Sequence, residues 1–278
     1  MIAVTGASGA IGGRVARALL GTDFRADVRL LVRDMSRAPD FDGDVRACEY
    51  ADEEAAVEAL RGTDTLFMVS GAEAPDRRAQ HRTFIRAAAT AGVRHLVYTS
   101  FAGAAGDATF TLGRDHADAE SAVRETGLAF TFLRDNFYSD LLPSFADDEG
   151  VIRGPAGEGR VAAVARADVA DVAVAVLRAP ESHAGATYTL TGPEALTLRE
   201  VAERAGKVLG RTLRFEDESE EEAHAWRRAA YGAEDWQLDA WVSTYTAIAD
   251  GSVAEVTGDV ERVAGHPART IEQALQED

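Results

Sequence analysis

Lysine is almost missing from this chain: among 29 basic residues only Lys207 is a lysine, so catalysis by a lysine amine has one possible site. Cysteine is equally scarce. Cys48 stands alone, which excludes an internal disulfide framework and any paired-cysteine metal or redox motif, and fits a reduced compartment. Positive charge is short as well. With 47 acids against 29 bases the net charge is −18, so a phosphate backbone would be repelled and nucleic acid is not expected as a partner. Long apolar runs are absent too: the most apolar segment, residues 169–177, is interrupted by Asp171, and no basic stretch followed by an apolar one opens the chain. Neither a membrane partner nor a secretory leader is expected, and the expected location is the cytoplasm. The six histidines show no HExxH or comparable spacing, so no metal is expected. A G-x-S-x-G elbow is missing, which excludes serine hydrolase chemistry of that type.

What is present describes an ordinary globular chain. The 278 residues are 46% hydrophobic and 27% charged, enough for one large α/β unit or a domain with a cap. Short β-branched runs at residues 2–5, 28–32, 65–69, 95–99 and 129–133 alternate with longer amphipathic stretches, and 45–50 reads as a weaker strand. Because the runs are nearly continuously apolar, both of their faces should be buried, as in a parallel sheet with right-handed crossovers. The expected fold class is α/β, a Rossmann-type doubly wound parallel sheet. Beyond Tyr138 the pattern loosens into glycine-rich loops, a helix at 168–177, a strand at 187–191 and a helix at 198–209. This predicts a nucleotide-binding domain over 1–140 and a smaller α/β lobe over 141–278, partly interleaved with the first.

The first strand runs into Thr5-Gly6-Ala7-Ser8-Gly9-Ala10-Ile11-Gly12, a G-x-x-G-x-x-G turn that opens a helix with an apolar face. Gly6 permits a sharp turn, Gly9 lets main chain approach a diphosphate, and Gly12 lets helix and strand pack closely. The amides of Ser8, Gly9, Ala10 and Ile11, with the helix dipole behind them, would hold the phosphate charge. The second strand ends in Val32-Arg33. An acid at its end would bond a ribose 2′-hydroxyl, and a guanidinium would accept a 2′-phosphate. Arg33 comes first and Arg37 lies one turn further, so NADPH is favoured over NADH, although Asp34 could turn toward a ribose.

Taken in order, the turn at 5–12, Val32-Arg33, Gln80-His81 ahead of residues 87–93, Tyr98-Thr99-Ser100, His116 with Glu120, and Leu133-Arg134 through Tyr138-Ser139 resemble the NmrA-like family of atypical short-chain dehydrogenase/reductases. Within that family the chain is most similar to the bacterial NADPH:quinone oxidoreductase type 2 group. Gly154-Pro155-Ala156-Gly157, residues 165–170 and Gly265-His266-Pro267 extend the likeness over nearly the whole chain. The resemblance implies an NADP-binding domain with a small lobe and a substrate held near the nicotinamide. By position it puts Ser70 and Gly71 on the adenosine side of the coenzyme, Thr99 and Ser100 beside the nicotinamide, and Phe137 and Tyr138 at the substrate.

Standard short-chain dehydrogenases use a tyrosine four residues before a lysine, whose ammonium lowers the phenol pKa. That pair cannot exist here, since the residue four before Lys207 is Glu203. By helix register, His116 stands where the lysine would lie, and Leu112 takes the tyrosine position. Three readings stay open. A quinone or similarly activated carbonyl or enone, already electrophilic, could take hydride with positioning alone. His116 could supply the proton, steadied by Glu120 one turn on; otherwise these two form an ordinary pair on a helix surface. Or the chain could sense NADP without turnover and bind a partner protein. A tailoring reductase of secondary metabolism is a further alternative, and the oligomeric state is left open.

Overall fold

The computed structural model describes residues 1–21 and 27–277. In chain order the elements are β1 (Ile2–Val4), α1 (Ala10–Leu20), β2 (Val28–Val32), β3 (Asp44–Ala47), α2 (Glu53–Leu60), β4 (Thr65–Met68), α3 (Arg77–Thr90), β5 (His95–Phe101), α4 (Thr111–Thr126) and β6 (Ala129–Asp135). They continue as β7 (Val151–Gly154), β8 (Arg160–Val161), α5 (Arg166–Arg178), β9 (Thr187–Leu190), β10 (Leu196–Thr197), α6 (Leu198–Leu209), β11 (Arg214–Asp217), α7 (Glu220–Tyr231), α8 (Asp235–Ala249), α9 (Asp259–Ala264) and α10 (Ile271–Gln276).

Seven strands form one sheet in the order β3-β2-β1-β4-β5-β6-β9, and helices flank it. The registers from β3 through β5 are all parallel, with Val4 opposite Leu30 on one side and Phe67 on the other. The expected doubly wound fold is therefore what the chain adopts. Strands β1, β2, β4 and β5 are buried along their whole length, which explains their lack of alternation. Arg29 is the exception inside β2. Its guanidinium stays buried because Asp44 accepts from it at 2.7 Å while the carbonyls of Ala59 and Arg61 accept at 3.0 and 2.8 Å.

Strand β3 is earlier and shorter than its sequence pattern suggested. Its partner β2 ends at Val32, so pairing stops at Ala47, and Cys48 makes a final amide bond to the Val32 carbonyl. Residues 48–52 then turn, which frees Tyr50 from the sheet. Asp52 caps α2 by accepting from the Ala55 amide at 3.0 Å.

Two compact units are built from this chain, each from three segments. One comprises Met1–Ser100, Asp115–Arg134 and Val169–Tyr188. Its core gathers Leu60, Leu66, Met68, Phe84, Tyr98 and Phe132, all fully buried. The other comprises Phe101–Arg114, Asp135–Asp168 and Thr189–Asp278. It holds two short strand pairs, β7 with β11 and β8 with β10, around a core that includes Leu142, Ile152, Val201, Phe215 and Ile248. Among the described residues no helix is long and apolar enough to cross a membrane.

Candidate functional site

Because the strand order turns back between β1 and β4, the carboxyl ends of β2, β1 and β4 open a crevice where no crossover fills the space. A cavity of about 400 Å³ lies there in the first unit, lined by Gly6, Ser8, Gly9, Arg33, Ser70 and Gly71, six of the positions expected from sequence. Arg37 lines it too.

The turn that floors the cavity is held by its own main chain. Gly6 sits at φ +60°, a conformation that disfavours a side chain, and its carbonyl accepts the Gly9 amide at 2.8 Å. Helix α1 then starts at Gly9 with no capping side chain and no acid in its first turn. Its first amides are thus left for an anion, with the dipole in favour. A Cβ on Gly12 would lie 2.3 Å from the Gly6 carbonyl oxygen and 2.5 Å from that of Thr5, so helix and strand touch main chain to main chain there. A Cβ on Gly9 would meet one protein atom, at 3.2 Å, and would otherwise project into the crevice. Ile11 is buried under the turn, so only its amide is on offer, while Ala10 is exposed.

At the other end, Arg33 and Arg37 are exposed, and no salt bridge ties either guanidinium to a carboxylate among the described residues. Asp34 does not turn toward the cavity. Its carboxylate accepts from the Ser36 amide and hydroxyl at 2.9 and 2.7 Å, which also holds its carboxyl below the usual range. With Asp34 engaged by Ser36, Arg33 and Arg37 are the cations on the cavity wall. The uncapped helix start, the open face of Gly9 and the two guanidiniums together fit a dinucleotide whose adenosine ribose carries a phosphate.

Thr99 and Ser100 are fully buried and do not line the cavity. Thr99 Oγ1 accepts the Ser70 amide at 2.8 Å, and the Ser100 hydroxyl donates to Glu120 at 2.7 Å. Glu120 is 1% exposed and also receives both guanidinium arms of Arg134 at 2.8 Å. The His116 and Glu120 positions are therefore not a helix-surface pair, because both are buried.

His116 sits inside a polar chain. Arg77 approaches its Nε2 at 3.2 Å, and the Tyr98 hydroxyl lies 3.0 Å from its Nδ1. Since a guanidinium can only donate, Nε2 accepts, and the ring proton is on Nδ1. Burial, with Arg77 beside it, holds the His116 pKa well below the ordinary value, and burial raises that of the Tyr98 phenol. In the second unit the Phe137 ring packs 5.0 Å from Phe101 and 5.1 Å from Phe110, and the Tyr138 hydroxyl donates to Asp135 at 3.1 Å. Phe137 and Tyr138 are both half-buried.

Sequence reasoning missed Thr5, Cys48, Glu49, Tyr50 and Gln80 in the cavity wall. Each lies just past a strand end, or on the helix behind one, and the strand order supplied the missing signal. Tyr50 is the most engaged of them. Its hydroxyl is 2.6 Å from both Thr5 Oγ1 and the Val69 carbonyl, closing the seam between β1 and β4. Cys48 is buried, which pushes its thiol up to about 12 and leaves it unreactive.

Comparison with known proteins follows the same lines. Residues 6–180 match a family model described as NAD(P)H-binding. Quinone oxidoreductase 2 of Escherichia coli is 30% identical, over 99% of this chain and 97% of that protein. A (4-alkanoyl-5-oxo-2,5-dihydrofuran-3-yl)methyl phosphate reductase of Streptomyces griseus is 36% identical, over 97% and 94%. The crystal structure of an NADPH-dependent quinone oxidoreductase complexed with NADPH, from Escherichia coli, superposes with a TM-score of 0.89 at 30% identity, covering 100% of this chain and 99% of that one.

Proposed function

The chain belongs to the NAD(P)H-binding family, and on that footing we propose that it is an NADPH-dependent reductase that passes hydride to a quinone or a similarly activated carbonyl or enone. The observation that carries the reading is the uncapped glycine turn sharing one cavity with two guanidiniums that no carboxylate ties among the described residues. The names of the relatives support the acceptor class. One is a quinone oxidoreductase, and another reduces an acylated 5-oxo-2,5-dihydrofuran, also a ring with an alkene conjugated to a carbonyl.

When bound, NADPH supplies the hydride, and an acceptor that takes hydride and a proton becomes the hydroquinone or its equivalent. The protein's part is to hold and orient. The amides of Ser8, Ala10 and Ile11 take the diphosphate, that of Gly9 being engaged by the Gly6 carbonyl; Arg33 with Arg37 takes the ribose phosphate, and the main chain at Ser70 and Gly71 walls the adenosine side. Thr99 and Ser100 act from behind, by fixing the Ser70 amide and the Glu120 carboxylate. Phe137 and Tyr138 are assigned to border the acceptor.

Proton donation by His116 finds no support in its surroundings. A second proton would have to go on Nε2, 3.2 Å from a guanidinium that can only donate. Delivery by positioning, with the proton taken by the delocalised hydroquinone anion from solvent, agrees better with these surroundings. A tailoring reductase of secondary metabolism is the second reading, favoured by the Streptomyces relative. The cytoplasm, being reducing, suits a chain with one buried thiol.

The test is loss of absorbance at 340 nm when the protein and NADPH meet a panel of benzoquinones, naphthoquinones and acylated butenolides. Turnover on quinones is expected; turnover on butenolides alone moves the assignment to the second reading. Tight NADPH binding with no turnover on any acceptor would replace the reductase with a coenzyme sensor, and no binding at all would remove both.

A further inference from the structure

Three successive amides in the loop after β4 are each taken by a side chain from a different element. Val69 N–H donates to Thr5 Oγ1, Ser70 N–H to Thr99 Oγ1 and Gly71 N–H to His81 Nε2, every one at 2.8 Å. Thr5 follows β1, Thr99 is in β5 and His81 is on α3, so the loop is tied to both neighbouring strands and to the helix behind it. Gly71 is held on its other side as well, because Arg77 Nε donates to its carbonyl at 2.9 Å. All three loop residues line the dinucleotide cavity. Left untied, consecutive main-chain N–H groups on a cavity wall would attract an anion. Here they point into the protein.

The side chains that do the tying carry costs that packing alone would not select. His81 is fully buried, and since its Nε2 accepts from Gly71 its proton lies on Nδ1, which has no hydrogen-bond partner among the described residues. Arg77 is a buried cation in the first turn of α3, at the positive end of the helix dipole. It is kept there by the Gly71 carbonyl, Asp115 Oδ2 at 3.3 Å and His116 Nε2 at 3.2 Å. The fit at Gly71 is close: a Cβ there would stand 3.2 Å from His81 Nε2.

We propose that His81 and Arg77 are positioning residues for the coenzyme. They clamp the Gly71 peptide from both sides, so that residues 69–71 form a preset wall with their amides turned inward, and the diphosphate is met at the glycine turn opposite. This rests on the reading of the cavity as an NADPH site. His116 has a place in the same arrangement as the group that steadies Arg77.

His81→Ala, His81→Gln, Arg77→Lys and a packing control, Ile85→Ala on the same helix, separate positioning from bulk stability. Ile85 is buried in the core away from the cavity lining. In the wild-type chain without coenzyme, the Gly71 amide should resist hydrogen exchange. In His81→Ala that protection should be lost while the β4 amides keep theirs, and in His81→Gln, whose side-chain carbonyl can accept, it should return. NADPH affinity measured by calorimetry should fall about threefold to tenfold in His81→Ala and Arg77→Lys and recover in His81→Gln. Ile85→Ala should lower the melting temperature with affinity unchanged. Unaltered Gly71 protection in His81→Ala overturns the clamp, as does an affinity loss that Ile85→Ala reproduces; wild-type affinity in Arg77→Lys removes Arg77 from it. If the wild-type chain binds no nicotinamide coenzyme, the functional reading fails, while the exchange experiment still decides the clamp.

Discussion

The two central glycines of the opening turn should fail in different ways when each gains one methyl group. In Gly12→Ala the new Cβ would start 2.3, 2.5 and 2.6 Å from main-chain atoms of Gly6 and Thr5, where ordinary contact begins near 3.4 Å. None of these atoms can rotate away, so α1 must move from β1 by roughly 1 Å. Overpacking of this kind costs about 1–3 kcal/mol or more, and the gain in helix propensity from glycine to alanine, about 1 kcal/mol, offsets part of it. At the upper end of that range, where contacts this short belong, the net loss of about 2 kcal/mol lowers the melting temperature by roughly 4–8 °C in a chain of this size. In Gly9→Ala the one protein contact is 3.2 Å, and φ −96°, ψ 177° suits any residue. Its stability cost is that of alanine at a helix N-cap, about 1 kcal/mol. The methyl group instead occupies the face toward the diphosphate, where losing one charge-assisted hydrogen bond weakens binding about 10- to 150-fold. Thermal melts beside calorimetric titration with NADPH read both quantities. The reasoning is refuted if Gly9→Ala binds like the parent, or if Gly12→Ala melts where the parent does.

Three other outcomes are expected. Arg33→Ala should weaken NADPH about 10- to 150-fold and NADH far less, with the difference shrinking as salt rises; equal losses for the two coenzymes would take Arg33 off the ribose phosphate. His116→Gln, which keeps an acceptor for Arg77, should leave the pH profile of turnover unchanged above pH 6, and a new limb there would return His116 to proton transfer. Acid should loosen the fold before the surface carboxylates titrate. His81 is depressed to about 3 by burial and Arg77, so between there and its unfolded value near 6.5 the unfolded chain binds more protons, and stability falls as pH drops. At pH 5 the His81 share is about 2 kcal/mol. Urea midpoints at pH 7 and pH 5 should therefore shift less in His81→Gln than in the parent, and identical shifts would sink the assignment.

Short elements whose residues speak for themselves were legible before any coordinates. Strands at 2–5, 28–32 and 65–69 announce themselves because a strand buried on both faces must be apolar at every position. The glycine turn reads equally well, since φ +60° at Gly6 and the main-chain contact at Gly12 are demands on single residues. Tyr50 and the ties that hold the β4 loop did not announce themselves, although the family resemblance had put Ser70 and Gly71 on the adenosine side. Their roles depend on β1 lying between β2 and β4, and nothing local to residue 50 encodes that order.

Sequence by itself thus determined the parallel sheet, the glycine turn that opens α1, the guanidinium at the end of β2 and the absence of a tyrosine–lysine pair, because each is a property of a residue and its near neighbours. Only the tertiary structure decided that Asp34 bonds Ser36 and stays away from the cavity, that His116 is enclosed by Arg77 and Tyr98, and that Thr99 and His81 serve main-chain amides. The protonation and orientation of these buried polar groups are set by partners such as Thr99 for the Ser70 amide and Arg77 for His116, 29 and 39 residues away in sequence, which meet them only once the sheet has closed over its helices.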